Sequence, residues 1–193
     1  YLVIRMGHNN EKLVINNDLI IDYSFVNWKS PFMDYYLGYA CDFCISTGFG
    51  ADSFARLFRK PIGLVAASIE EVSYLNKEWM FIFNQNKKKN SNNFITLNEI
   101  FENDLHMLSK IQKIKMTNYE LVQNNSQEIK DLVVEVANKF ENNYQITNQE
   151  QELQKNFWKL FFSYNKKLAK NPAIDYRFAN YFLKKYYDQL FQL

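Results

Sequence analysis

Asp42-Phe-Cys-Ile-Ser-Thr-Gly-Phe-Gly-Ala-Asp-Ser-Phe-Ala-Arg-Leu-Phe-Arg-Lys-Pro-Ile-Gly-Leu-Val65 decides the fold of this chain. It reads without a gap as strand, glycine turn, helix and second strand. Asp42 to Ser46 is a short β-prone run that ends at Thr47-Gly-Phe-Gly50. Phe54, Leu57 and Phe58 then recur at helical spacing, and Pro61 closes that segment before Ile62 to Val65. Strands alternating with helices imply a mostly parallel sheet. In such a sheet the turn after a strand can point backbone N–H groups of a helix start into the crevice at the strand ends, where an anion is favoured. Gly48 and Gly50 would let backbone approach a phosphate closely, and Ser46, Thr47 and Ser53 add hydroxyls at the same place. The same glycines also suit a tight turn that binds nothing.

Upstream, Leu2 to Arg5 and Leu19 to Tyr23 read as two further strands. Ser30-Pro31 starts a helix through Phe32, Met33, Tyr36, Leu37 and Ala40, with serine at the cap and proline at the first position. Arg5 stands at a strand end, where a guanidinium can hold a diphosphate or pair with Asp22. The chain opens on Tyr1 and enters a strand pattern at once, which leads us to expect coding sequence upstream.

Downstream, Trp79 to Phe83 is a candidate strand, Lys87 to Asn93 a solvated turn and Leu97 to Leu105 a short helix. Two capping boxes follow, Asn125-Ser-Gln-Glu128 and Thr147-Asn-Gln-Glu150. The first leads a helix through Phe140, the second a helix through Leu168 closed by Asn171-Pro172. Phe157, Trp158, Phe161 and Phe162 form an aromatic stripe suited to packing, and Phe178 to Leu190 looks apolar on nearly every side. The expected organisation is a Rossmann-like α/β unit over residues 1–122 with a C-terminal helical extension over 123–193.

The 193 residues are 47% hydrophobic with a net charge of +2, so they argue neither for disorder nor for a nucleic-acid partner. No apolar run approaches the roughly 18 residues of a membrane span. The expectation is a soluble protein of the cytoplasm or the inner face of the membrane. Cys41 and Cys44 have Cys-x-x-Cys spacing, but two further zinc ligands are missing from the sequence neighbourhood; His8 and His106 sit in no ligand pair. The simpler reading is Cys44 on a buried strand and Cys41 at a helix end. P-loop, hydrolase-elbow and zincin motifs are absent, and no Asp-x-Asp suggests a metal-bridged diphosphate.

Several blocks together resemble a family of bacterial glycosyltransferases of the two-domain GT-B type, associated with surface-carbohydrate synthesis. They are Val3-Ile-Arg-Met-Gly7, Ile21-Asp-Tyr23, Ser30 with Met33-Asp34, Phe43-Cys-Ile-Ser-Thr-Gly48 with Leu57-Phe58 and Pro61-Ile62, Asn125-Ser-Gln-Glu-Ile129 with Val134-Glu135, and Phe182-Leu183. The resemblance implies the C-terminal, donor-binding half of an enzyme that uses a nucleotide sugar as substrate, with no required metal or other cofactor. It implies a missing N-terminal domain that contributes the acceptor site for a glycan or lipid-linked acceptor, and a fragment inactive alone. Donor contacts would come from Arg5, Ser46, Thr47, Gly48, Phe49, Gly50, Ala51 and Ser53, with no catalytic base identified. Asp52 departs from a good phosphate cradle, because its charge would repel a diphosphate unless turned away. A GT-B-like sugar-nucleotide epimerase and a non-catalytic protein-interaction module remain as alternatives.

Overall fold

The computed structural model describes residues 1–8, 11–48, 50, 52–67, 79–105, 118–164 and 177–191. His106 and the end of the helix expected through Leu168 lie outside them. The elements are β1 (Val3–Arg5), β2 (Ile20–Asp22), a 3-10 turn (Tyr23–Phe25), α1 (Pro31–Ala40), β3 (Cys44–Ser46), α2 (Ser53–Leu57) and β4 (Ile62–Ala67). They continue with β5 (Trp79–Phe83), β6 (Gln85–Lys88), α3 (Leu97–Glu102), β7 (Tyr119–Val122), α4 (Ser126–Phe140), α5 (Asn148–Tyr164), β8 (Arg177–Phe178) and α6 (Asn180–Phe191).

The central sheet has the order β3-β4-β5-β8, and every pairing in it is parallel. It is a Rossmann-like α/β arrangement, as the alternation of strand and helix patterns predicts. β1 and β2 form a separate parallel pair, and β6 and β7 an antiparallel one. Tyr1, just ahead of β1, meets Phe43, just ahead of β3, edge-on at 5.2 Å.

β5 reads Trp-Met-Phe-Ile-Phe and is buried at every position, the pattern of a strand covered on both faces. On it sits an aromatic nucleus. Phe81 stacks on Phe178 at 5.0 Å and meets Phe83 at 5.1 Å, while Phe157 reaches Phe178 at 4.9 Å and Trp158 at 4.8 Å. The aromatic stripe of α5 is therefore core. The described part of residues 123–193 contributes α4, α5 and α6 to the fold and also β8, which pairs with β5 at the edge of the sheet.

The helix starts form as their sequences direct. Ser30 accepts from the Met33 N–H at 3.2 Å, with Pro31 opening α1. Asn125 and Glu128 complete a reciprocal box at the start of α4, and Thr147 and Glu150 do so at α5. A further box, Thr96 with Glu99, opens α3. Two expectations need correction. Lys87 and Lys88 belong to strand β6 rather than to a turn, since Lys87 pairs with Glu120 of β7 at 2.7 Å across the antiparallel ladder. Helix α6 is not apolar all round: Phe182, Leu183 and Leu190 are buried while Lys184, Lys185 and Asp188 are exposed.

Gly38 is where α1 meets α2. A β-carbon there would stand 2.4 Å from Phe54 Cβ and 3.0 Å from the Phe54 carbonyl carbon, so a backbone would have to move. Gly38→Ala is accordingly expected to lower stability by about 1–3 kcal/mol, despite alanine's better helix propensity. Urea unfolding checks this; an unchanged or raised midpoint would show that the helices can part freely.

Candidate functional site

The turn from Ser46 to Ser53 sits at the carboxyl end of β3. It passes through two left-handed glycines, Gly48 with φ of 87° and Gly50 with φ of 65°. A β-carbon on Gly50 would touch nothing within 4 Å, so the turn faces open space there. Ser46 is half-buried, and Thr47, Gly50 and Ser53 are exposed. Phe49 and Ala51 lie outside the described residues.

The donors of the turn are partly committed. Ser46 Oγ accepts from the Gly48 N–H at 3.0 Å, which closes the turn on itself, and the Gly50 carbonyl accepts from the Ser53 N–H at 3.0 Å. The N–H groups of Gly50 and Asp52 donate to no described residue. Helix α2 has only five residues, so the dipole behind these groups is small. Among the described residues, what the turn can offer an anion is thus the amides of Gly50 and Asp52 and the hydroxyls of Ser46, Thr47 and Ser53.

Asp52 does not face a ligand as a bare charge. Its side chain is 2% exposed, and Oδ2 accepts from Arg56 Nε at 2.9 Å and Nη2 at 2.7 Å. The pair is four residues apart on one helical face, and the guanidinium also lies 4.8 Å from the Trp79 ring centroid. The repulsion expected from this aspartate is neutralised within the turn itself. The Asp-x-x-x-Arg spacing, one helical turn apart, is the signal in the sequence for this pair.

Arg5 takes the structural partner among its two expected ones. Its Nη1 donates to Asp22 Oδ2 and to the Glu11 carbonyl, each at 3.1 Å, and the Leu13 N–H donates to the same Asp22 oxygen at 2.8 Å. The next turn holds Gly7 at φ of 110°, with its carbonyl accepting from Ser24 Oγ at 2.6 Å. Among the described residues no hydrogen bond or ion pair links Arg5 to the turn at Ser46–Ser53.

A polar cluster unforeseen from sequence ties the ends of β4 and β5 to α4. Asn124 Oδ1 accepts from the Ala66 N–H at 3.0 Å, and its Nδ2 donates to the Phe83 carbonyl at 2.9 Å and Glu128 Oε2 at 3.2 Å. Ala66, at φ of 55°, lies where the β4–β5 register shifts, so the side chain of Asn124 replaces a broken ladder contact. Glu128 also accepts from Tyr186 and, at 3.4 Å, from Lys185. Burial alone would raise this carboxyl; the hydrogen bonds from Tyr186, Asn124 and Asn125 outweigh it and hold Glu128 below its ordinary value.

The cysteines carry no activated thiolate. Both are free; burial raises Cys41, with Lys60 opposing, and pushes Cys44 up to about 12. Among the described residues no group of three His, Cys, Asp or Glu side chains could hold a metal ion, and no helix is long and apolar enough to cross a membrane. No protein family, curated protein or solved structure matches this chain.

Proposed function

We propose that the chain is the donor-binding half of a nucleotide-sugar-dependent glycosyltransferase of GT-B type, acting in surface-glycan synthesis beside a second α/β domain. The observation that carries the reading is the turn itself. It combines two left-handed glycines, open space above Gly50, exposed hydroxyls and a self-neutralised Asp52 at the carboxyl end of a parallel strand. The place of the turn supports the same reading: it follows β3 at its carboxyl end, and open α/β sheets bind ligands outside the carboxyl ends of their strands. The diphosphate of the donor would meet the Gly50 and Asp52 amides and the hydroxyls of Ser46, Thr47 and Ser53. The leaving group would be stabilised there as its charge develops. A sugar-bound nucleotide needs no cofactor in this scheme.

The commitment of the Gly48 and Ser53 amides to partners within the turn favours a second reading, a protein-interaction module whose turn is empty. Titration of nucleoside diphosphates by calorimetry separates the two. Saturable binding is expected, and Gly50→Asp is expected to weaken it at least about tenfold, or ~1.4 kcal/mol, by setting a carboxylate into the open space. Gly50→Asn, equally tolerant of left-handed backbone, is expected to bind far better than the aspartate variant. Absence of binding by any nucleoside diphosphate, or equal binding by both variants, would sink the donor-site reading.

A further inference from the structure

The first two helices leave a band of aromatic surface uncovered. Phe32, Tyr36 and Tyr39 recur along one face of α1 and are 70%, 46% and 56% exposed. Their rings touch in succession. Phe32 stacks on Tyr36 at 6.2 Å, Tyr36 meets Tyr39 at 6.5 Å, and Tyr39 meets Phe58, just past α2, edge-on at 5.2 Å. Leu57, the last residue of α2, is 63% exposed. Helix α1 packs by another side, where Gly38 meets Phe54. Single exposed apolar residues are ordinary, but a connected band of them marks a surface that another body covers.

Cations border the band. Lys60 Nζ lies 5.7 Å from the Tyr39 ring centroid, and Arg59, at φ of 55° beyond the end of α2, is exposed. Among the described residues neither side chain has an ion-pair or hydrogen-bond partner. The acids nearest in sequence are engaged elsewhere: Asp34 lies beside Tyr23, and Asp42 acts on Tyr1. The hydroxyls of Tyr36 and Tyr39 are also without a partner among the described residues. Rings with apolar bodies and polar tips, next to cations that lack a counter-charge, match the chemistry of the headgroup layer of a membrane.

We propose that this face docks on an anionic lipid surface. Phe32, Tyr36, Tyr39 and Leu57 enter the headgroup layer, and Arg59 and Lys60 meet the lipid phosphates. A fluid layer closes round side chains that project from a helix without needing a preformed pocket. A second copy of the chain fits less well, since a two-fold contact through this face would gather the cations of both copies with no carboxylate paired to them. The docking uses none of the groups of the Ser46–Ser53 turn, so it stands apart from the donor-site reading.

Co-sedimentation of the chain with lipid vesicles measures it. Vesicles of phosphatidylcholine with about one-third phosphatidylglycerol are expected to bind at least about tenfold more strongly than phosphatidylcholine alone, and raising salt from about 0.05 to about 0.5 M should remove most of that preference. Phe32→Gln with Tyr36→Gln, at exposed positions where glutamine suits the helix, is expected to weaken binding to the anionic vesicles at least about tenfold. Arg59→Asn with Lys60→Gln, the asparagine being tolerant of left-handed backbone, is expected to abolish the preference for anionic lipid. Urea midpoints should be unchanged in both double variants, so that a loss of binding reads the surface and not the fold. Should one of them fail to fold, the other and the lipid dependence decide by the same criteria. A chain that stays in the supernatant with anionic vesicles, binds phosphatidylcholine alone equally well, or keeps its full affinity in either double variant would overturn the proposal. A dimer that forms without lipid and is dissociated by Phe32→Gln with Tyr36→Gln would overturn it in favour of a second copy.

Discussion

Phe81→Ala is expected to remove about 3–5 kcal/mol of stability, a large share of the roughly 5–15 kcal/mol available to a domain. Phe81 is fully buried in the middle of β5, so no part of the lost ring surface is returned to water in the folded state. Its ring meets Phe178 stacked at 5.0 Å, Phe83 at 5.1 Å, Phe157 at 6.1 Å and Trp158 at 6.2 Å. Those neighbours belong to β8, β5 and α5, which cannot all close on one void without parting from something else. The same residue also fastens the C-terminal segment. Its carbonyl accepts from the Ala179 N–H at 3.0 Å, between β8 and α6. Urea unfolding should show the full loss, and hydrogen exchange over residues 177–191 should rise more than over β4. A loss below about 1 kcal/mol would mean that the aromatic nucleus repacks freely and does not hold β8 to the sheet.

The elements that could be read from sequence are those whose signals are local. The β3-turn-α2-β4 unit shows itself in a continuous stretch, and the boxes at Asn125 and Thr147 mark α4 and α5 because each cap satisfies its own helix start. β5 is legible because five consecutive apolar residues leave no other fate for Trp79–Phe83. The missed elements depend on distant partners. Gln85-Asn-Lys-Lys88 has no strand pattern of its own, and becomes β6 because Tyr119–Val122 supplies a ladder more than thirty residues away, with Lys87 and Glu120 opposite one another. β8 has two residues, too few for any periodicity, and exists because Met80 and Phe81 offer it an edge. Helix α6 misleads in the other direction. Its tyrosines count as apolar by composition, yet Tyr181 is exposed and Tyr186 spends its hydroxyl on Glu128.

At the candidate site the backbone was legible and the hydrogen bonding was not. Glycines at positions 48 and 50 announce the left-handed turn. Whether its amides are free depends on one serine rotamer and one carbonyl direction, and no residue pattern encodes either; Ser46 Oγ and the Gly50 oxygen take two of the donors. Arg5 shows the same limit, since its choice of Asp22 follows from β1 and β2 lying side by side in register, Arg5 opposite Asp22.

Arg56→Met tests whether the turn's own ion pair is what makes it compatible with an anion. The substitution keeps much of the aliphatic length beside Trp79 but strands the Asp52 carboxylate, which is 2% exposed, without a counter-charge. Breaking a fully buried pair costs about 3–5 kcal/mol; with Arg56 33% exposed, water takes up part of the loss and about 2–3 kcal/mol is expected here. Adding Asp52→Asn to Arg56→Met should restore much of that stability, because the penalty lies in the unpaired charge and not in the missing guanidinium. Binding should follow charge more closely than stability. If Arg56 cancels Asp52 at the donor site, nucleoside diphosphate affinity should fall in Arg56→Met and recover in the double variant. A stable Arg56→Met protein that binds with unaltered affinity would show that Asp52 points away from the ligand and that its neutralisation serves folding alone.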